Sequence, residues 1–200
     1  MDNGGTYLRV ADVTATLDTV LTTLRAAGAD HAYRLGGTSA ALLQGVHLPA
    51  GDIDLLAARR EDVDAFAAAL ASYPCLHAAS WLPESSQYFT RYEVRGVKVE
   101  MSTVERQVDS DAMECVGRGP WQHHVWVACG SHRVPAVRLE LRLATELVRN
   151  RADRYEPLLD HLTAHECDAD LLHRAMRDQG LSAEHRRLVW DRLGRAAPPP

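Results

Sequence analysis

The residues of this chain best suited to chemistry are closely spaced carboxylates. Two aspartates separated by one apolar residue occur three times, as Asp52-Ile53-Asp54, Asp62-Val63-Asp64 and Asp168-Ala169-Asp170. Local structure separates the three, because side chains two apart share a face on a strand but point away from each other on a helix. Asp62 and Asp64 open a strongly helical run, and Asp168 and Asp170 sit at the mouth of another, where acids suit the positive end of the helix dipole. Asp52 and Asp54 instead follow a loop holding Pro49 and Gly51 and open the apolar run Ile53 to Ala57, which reads as a buried strand. Their carboxylates can converge on one hard divalent cation, which takes oxygen ligands.

Upstream lies Gly36-Gly37, between a short strand, His31 to Leu35, and a short helix, Ala40 to Gln44, with Thr38 or Ser39 as its cap. A glycine turn of this kind lets backbone N–H groups approach a phosphate chain, with the helix N-terminus adding a favourable dipole.

The surrounding elements follow from periodicity. Val13, Leu17, Val20, Leu21 and Leu24 recur at helical spacing from Val10 to Ala27, before Gly28, and Arg60 to Ala71 is helical with Val63, Phe66, Ala67 and Leu70 inward. Gln87 to Val94 and Val97 to Val104 alternate with period two around Arg95-Gly96 and predict a hairpin. A two-residue turn there pairs Val94 with Val97, Glu93 with Lys98 and Arg91 with Glu100. Val125 to Ala128 and Arg133 to Val134 predict a second ribbon around Gly130, closing near Pro135. Val137 to Leu193 is helical throughout and predicts three or four helices. The reading is an α/β (α+β) chain, a mixed sheet backed by helices over residues 1–135, a helical C-terminal segment over 136–195, and a disordered proline-rich tail over 196–200.

Composition narrows the function classes. The 200 residues are 46% hydrophobic and 24% charged, a folded rather than disordered profile. The net charge of −5 argues against non-specific nucleic-acid binding. Cys75, Cys115, Cys129 and Cys167 are scattered, without a C-x-x-C pair or a secretory leader, so a reduced cytoplasmic protein is expected. No apolar run approaches the roughly 20 residues that span a bilayer.

Other candidates have simpler explanations. His161 and His165, four apart near Cys167, lack a third ligand in a known zinc arrangement and read as surface histidines. Arg154 and His161 fit a loose Arg-x-His ribonuclease spacing, which Pro157 is expected to interrupt. His123 and His124 beside Trp121 read as loop residues, and Trp81, Tyr88 and Tyr92 as core and sheet packing.

Taken together, Leu35-Gly36-Gly37-Thr38-Ser39, then Asp52-Ile53-Asp54-Leu55, then Val99-Glu100-Met101 resembles the nucleotidyltransferase superfamily related to DNA polymerase beta. The likeness covers roughly the first half of the chain. It extends to the bacterial branch of antibiotic-modifying enzymes and abortive-infection toxins, in which a helical segment follows the catalytic domain. The chain departs from the pattern in having Glu rather than Asp as third acid. The family's basic motif in the helical part is matched only loosely, by Arg142, Arg149 and Asp153. The resemblance implies transfer of a nucleoside monophosphate from an NTP, expected to be ATP, to an acceptor hydroxyl. It makes Asp52, Asp54 and Glu100 the catalytic acids, with Mg²⁺ (or Mn²⁺) on Asp52 and Asp54 and with Glu100 completing the metal site or acting as general base, and it assigns nucleotide phosphates to Gly36, Gly37, Thr38, Ser39 and Arg91. Glu93 fits the third-acid pattern too, but it lies near the hairpin tip beside Lys98. A small-molecule acceptor is expected first, then tRNA or protein as in the toxins; a non-catalytic, antitoxin-like nucleotide-binding module is the rival reading.

Overall fold

The structure, a computed structural model, describes residues 7–29, 32–103, 105 and 123–194. Helix α1 (Val10–Ala26) buries Val13, Leu17, Val20, Leu21 and Leu24. It stops as expected at Gly28, whose φ of +69° is the left-handed conformation that ends a helix. Strand β1 (Tyr33–Leu35) leads through Gly36 into α2 (Gly37–Leu43). This helix starts earlier than expected: Gly36 is the N-cap, and Thr38 and Ser39 lie inside the first turn rather than capping it. Strand β2 (Ile53–Ala57) and helix α3 (Arg60–Ala69) follow.

Strand β3 (Cys75–Leu82) carries no alternating pattern, because its pairing with the next strand slips between Cys75 and His77 and again between His77 and Ser80. β4 (Gln87–Val94) and β5 (Val97–Thr103) form the expected hairpin, with Val94 opposite Val97, Glu93 opposite Lys98 and Arg91 opposite Glu100. Arg95 and Gly96 both take positive φ, 56° and 76°, which matches the twist of a two-residue hairpin turn. β6 (His124–Cys129) and β7 (His132–Val137) turn at Gly130 and are longer than the sequence predicts, with β7 continuing through Pro135 and His124 in a strand rather than a loop. Trp121, His31, Val104 and the tail over 196–200 lie outside the described residues.

Helices α4 (Leu139–Val148), α5 (Ala152–Ala164), α6 (Ala169–Asp178) and α7 (Ala183–Arg192) complete the chain. Pro157 does not interrupt α5, contrary to expectation. It sits in the second turn, so the only intrahelical bond it forgoes is the one to the Asp153 carbonyl.

The fold is α+β: a seven-stranded mixed sheet of order β3-β4-β5-β2-β1-β7-β6, with seven helices among the described residues. β2 runs antiparallel to β1 and parallel to β5, and β1 runs parallel to β7. Period-two alternation divides the side chains between two apolar clusters. Ile53, Leu55, Val99 and Met101 join the core packed with α1 and α3, whereas Leu56 joins the cluster formed with α4 to α7. Asp54 and Glu100 therefore share the sheet face that meets the C-terminal helices. No helix among the described residues is long and apolar enough to cross a membrane.

Candidate active site

Parallel pairing of β2 with β5 sets Asp54 directly beside Glu100, and Asp52 lies in the bend just ahead of β2. Asp52, Asp54 and Glu100 each present an oxygen within 4.8 Å of the other two. They are the only group of three or more His, Cys, Asp or Glu side chains so gathered among the described residues. Three carboxylates with no nitrogen or sulfur ligand suit a hard divalent cation such as Mg²⁺ or Mn²⁺. Glu93, the alternative third acid, stands opposite Lys98 on the hairpin and outside this group.

Gly37 explains why a glycine is required beside the acids. Its φ is +63°, and a Cβ there would collide with Asp54 Oδ2. Asp54 cannot retreat as a unit, because its carbonyl accepts a hydrogen bond from Gly36 N–H at 2.9 Å and its backbone is paired with β5. The glycine pair thus fits α2 tightly against the carboxylates.

The other phosphate candidates divide. Gly37 and Thr38 line a cleft of about 430 Å³ that also exposes Asp52, Asp54 and Glu100. Ser39 is fully buried and turns its hydroxyl back to the Gly36 carbonyl, 3.4 Å away, because the helix begins at Gly37 and directs Ser39 inward. Gly36 and Ser39 do not line the cleft. Arg91 does not line it either; its Nε donates to Glu100 Oε1 at 2.5 Å. Burial pushes the Glu100 carboxyl above its usual pKa, the Arg91 guanidinium pulls it back, and the Asp52 charge adds to the rise.

The same cleft is also lined by basic side chains. Arg142 on α4, Arg149 at its C-terminal end and Arg154 on α5 all line it. They surround Glu146, which is fully buried. Its Oε1 pairs with Arg142, with Arg149 at 3.3 Å and with Arg154 at 3.5 Å. Three guanidinium groups thus line the same cleft as the three acids. Sequence reasoning caught Arg142 and Arg149, but it also named Asp153, which is exposed and pairs with Arg151 at 2.9 Å away from the cleft. Arg154 and Glu146 were missed as site residues. The signal was present as Arg142 and Glu146 four apart on one helix face.

The remaining candidates serve packing. His161 and His165 stack with ring centroids 4.0 Å apart, and Cys167 does not join them in a metal-type cluster. Arg154 and His161 share α5, but Arg154 turns to Glu146. Tyr92 packs edge-on against Phe66 in the core, while Trp81 and Tyr88 flank Arg60.

No protein-family model matches the chain, and no curated protein sequence matches it. Among solved structures it is similar to a candidate nucleotidyltransferase from Thermotoga maritima, with a TM-score of 0.58 at 15% identity over 82% of this chain and 100% of that one. A candidate nucleotidyltransferase from Helicobacter pylori gives a TM-score of 0.47 at 13% identity, over 96% of this chain and 82% of that one, too low to argue from. The Thermotoga likeness shows a shared fold.

Proposed function

We propose that this chain is a divalent-metal-dependent nucleotidyltransferase that moves a nucleoside monophosphate from an NTP, with ATP the donor, to a hydroxyl of a small-molecule acceptor. In this reading residues 1–135 are the catalytic domain and 136–195 the helical segment that closes the cleft. One observation carries it: three converging carboxylates and three arginines line one cleft. A polyphosphate needs both sets, because its charge is matched partly by a cation held on acids and partly by guanidinium groups.

Asp52 and Asp54 would hold Mg²⁺, which supplies polarisation of the α-phosphate and acidification of the acceptor hydroxyl. Arg142, Arg149 and Arg154 grip the β- and γ-phosphates, so the leaving pyrophosphate departs toward positive charge. Gly37 and Thr38 bring backbone close to the phosphate chain. The acceptor oxygen bonds to the α-phosphorus, the bond to the bridging oxygen breaks, and that oxygen leaves on pyrophosphate with the electron pair. Glu100 takes the hydroxyl proton. Its raised pKa suits that role, and Arg91 holds it in place.

The test is incubation with each α-labelled NTP, Mg²⁺ and pools of hydroxylated small molecules, with tRNA and cell lysate as further acceptors. Expected is Mg²⁺-dependent pyrophosphate release with the label on a small molecule. Label on tRNA or protein would replace the acceptor class, and no release with any NTP and either Mg²⁺ or Mn²⁺ would overturn the reading.

A further inference from the structure

A second cavity, of about 390 Å³, opens at the end of β1 away from the glycine turn, where β1 and β7 part. Leu35 and Ala136 are the one residue pair that joins these strands, and Pro135 has no N–H to offer either neighbour. The notch is lined by Arg25, Arg34 and Arg133, by the rings of Tyr33 and Trp126, and by His132. Among the described residues no carboxylate lines it. That is against the grain of the chain, which carries 27 acidic and 22 basic residues.

Three features of these side chains point to a ligand. Arg25 and Arg133 are exposed and have no ion-pair partner among the described residues. Trp126 is 54% exposed, an unusual position for the largest apolar side chain in a strand. The Arg133 guanidinium lies 5.7 Å from the Trp126 ring centroid, so cation and flat aromatic surface stand side by side. His132 is committed elsewhere, since its Nε2 bonds Thr22 Oγ1 at 3.1 Å and lies 3.9 Å from Asp18 Oδ1.

We propose that this notch is a binding site, separate from the cleft, for a phosphate-bearing aromatic ligand of the nucleoside monophosphate class. Arg25 and Arg133 hold the phosphate with charge-assisted hydrogen bonds, and the base lies on Trp126. The volume is within the range of about 300–1,000 Å³ that encloses small ligands. The inference does not depend on the cleft being catalytic.

The test is calorimetric titration in EDTA with a nucleoside monophosphate, the matching nucleoside, inorganic phosphate and a short single-stranded oligonucleotide. The monophosphate is expected to bind more tightly than nucleoside or phosphate alone. Arg25→Gln with Arg133→Gln, both on exposed positions, should weaken it at least about tenfold with an unchanged melting temperature. Trp126→Leu should weaken the monophosphate and leave inorganic phosphate unaffected. Asp52→Asn with Asp54→Asn should leave binding intact. Tighter binding of the oligonucleotide, with the same dependence on Arg25, Arg133 and Trp126, would keep the site and make its ligand a nucleotide within a strand. Absence of binding at millimolar ligand, or binding abolished by the cleft variant and untouched by the arginine variant, would overturn the proposal.

Discussion

Replacing Gly37 with alanine tests whether the glycine turn exists to shape the carboxylate group. Alanine must take φ near +63°, which costs roughly 1–2 kcal/mol for a residue with a Cβ. Its Cβ would also overlap Asp54 Oδ2, with Asp54 Cγ at 2.8 Å and Cβ at 3.2 Å. Backbone pairing fixes Asp54 on two sides, so the side chain alone can yield, and the carboxylate must swing off the line it shares with Asp52 and Glu100. The conformational cost alone lowers the melting temperature by about 2–8 °C, at roughly 2–4 °C per kcal/mol for a domain of this size. Displacing a reacting group by an ångström costs on the order of a hundredfold in rate. Gly51→Ala is the control, because a Cβ there meets nothing within 4 Å. Melting curves and pyrophosphate release would be measured on both variants. Near wild-type turnover in Gly37→Ala would refute the argument, as would equal losses in the two.

Asp52→Asn with Asp54→Asn should abolish transfer and leave the protein folded, melting as high as wild type or higher in EDTA because two like charges have been removed; thermal denaturation decides, and unfolding in EDTA would make these aspartates structural. Glu100→Gln should cut turnover by on the order of a hundredfold or more, while Glu93→Gln, across from Lys98, should leave rate and metal dependence nearly unchanged; the reverse order in steady-state kinetics would transfer the role to Glu93. The raised Glu100 pKa also carries a sign for stability. A carboxyl whose folded pKa lies above its unfolded value binds more protons when folded, so its contribution is complete below the unfolded pKa and is lost as pH rises through the folded one. The melting temperature of wild type relative to Glu100→Gln in EDTA should therefore fall with rising pH across that window, because the variant keeps every other titrating group, including the lowered Asp12, Asp18 and Asp153; a difference that rises with pH would contradict the assignment.

The acids were legible because chemistry and period coincide. Asp52 and Asp54 stand two apart at the mouth of an apolar run that reads as a strand, and Arg95-Gly96 set the register that puts Glu100 opposite Arg91. What brings Glu100 beside Asp54 is the parallel pairing of β2 and β5, a contact between strands distant in sequence that no local pattern encodes. β3 escaped because its two slips in register erase the alternation by which a strand is recognised. The cap of α2 was placed too late, at Thr38 or Ser39, because the helix N-terminus was taken from a good capping side chain, whereas Gly36 is the N-cap and has no side chain to signal it. The basic lining was half legible: Arg142 and Arg149 stood out, but Arg154 comes from the next helix and reaches the group only through Glu146, whose meaning depends on being buried.

The central claim is that the acidic and basic side chains of one cleft hold one metal-bound nucleotide. Crystals grown with Mn²⁺ and a non-hydrolysable ATP analogue test it directly through the anomalous signal of manganese. The account predicts a peak among Asp52, Asp54 and Glu100, with the terminal phosphates against Arg142, Arg149 and Arg154. Manganese bound elsewhere, or a nucleotide whose phosphates lie away from those arginines, would contradict it.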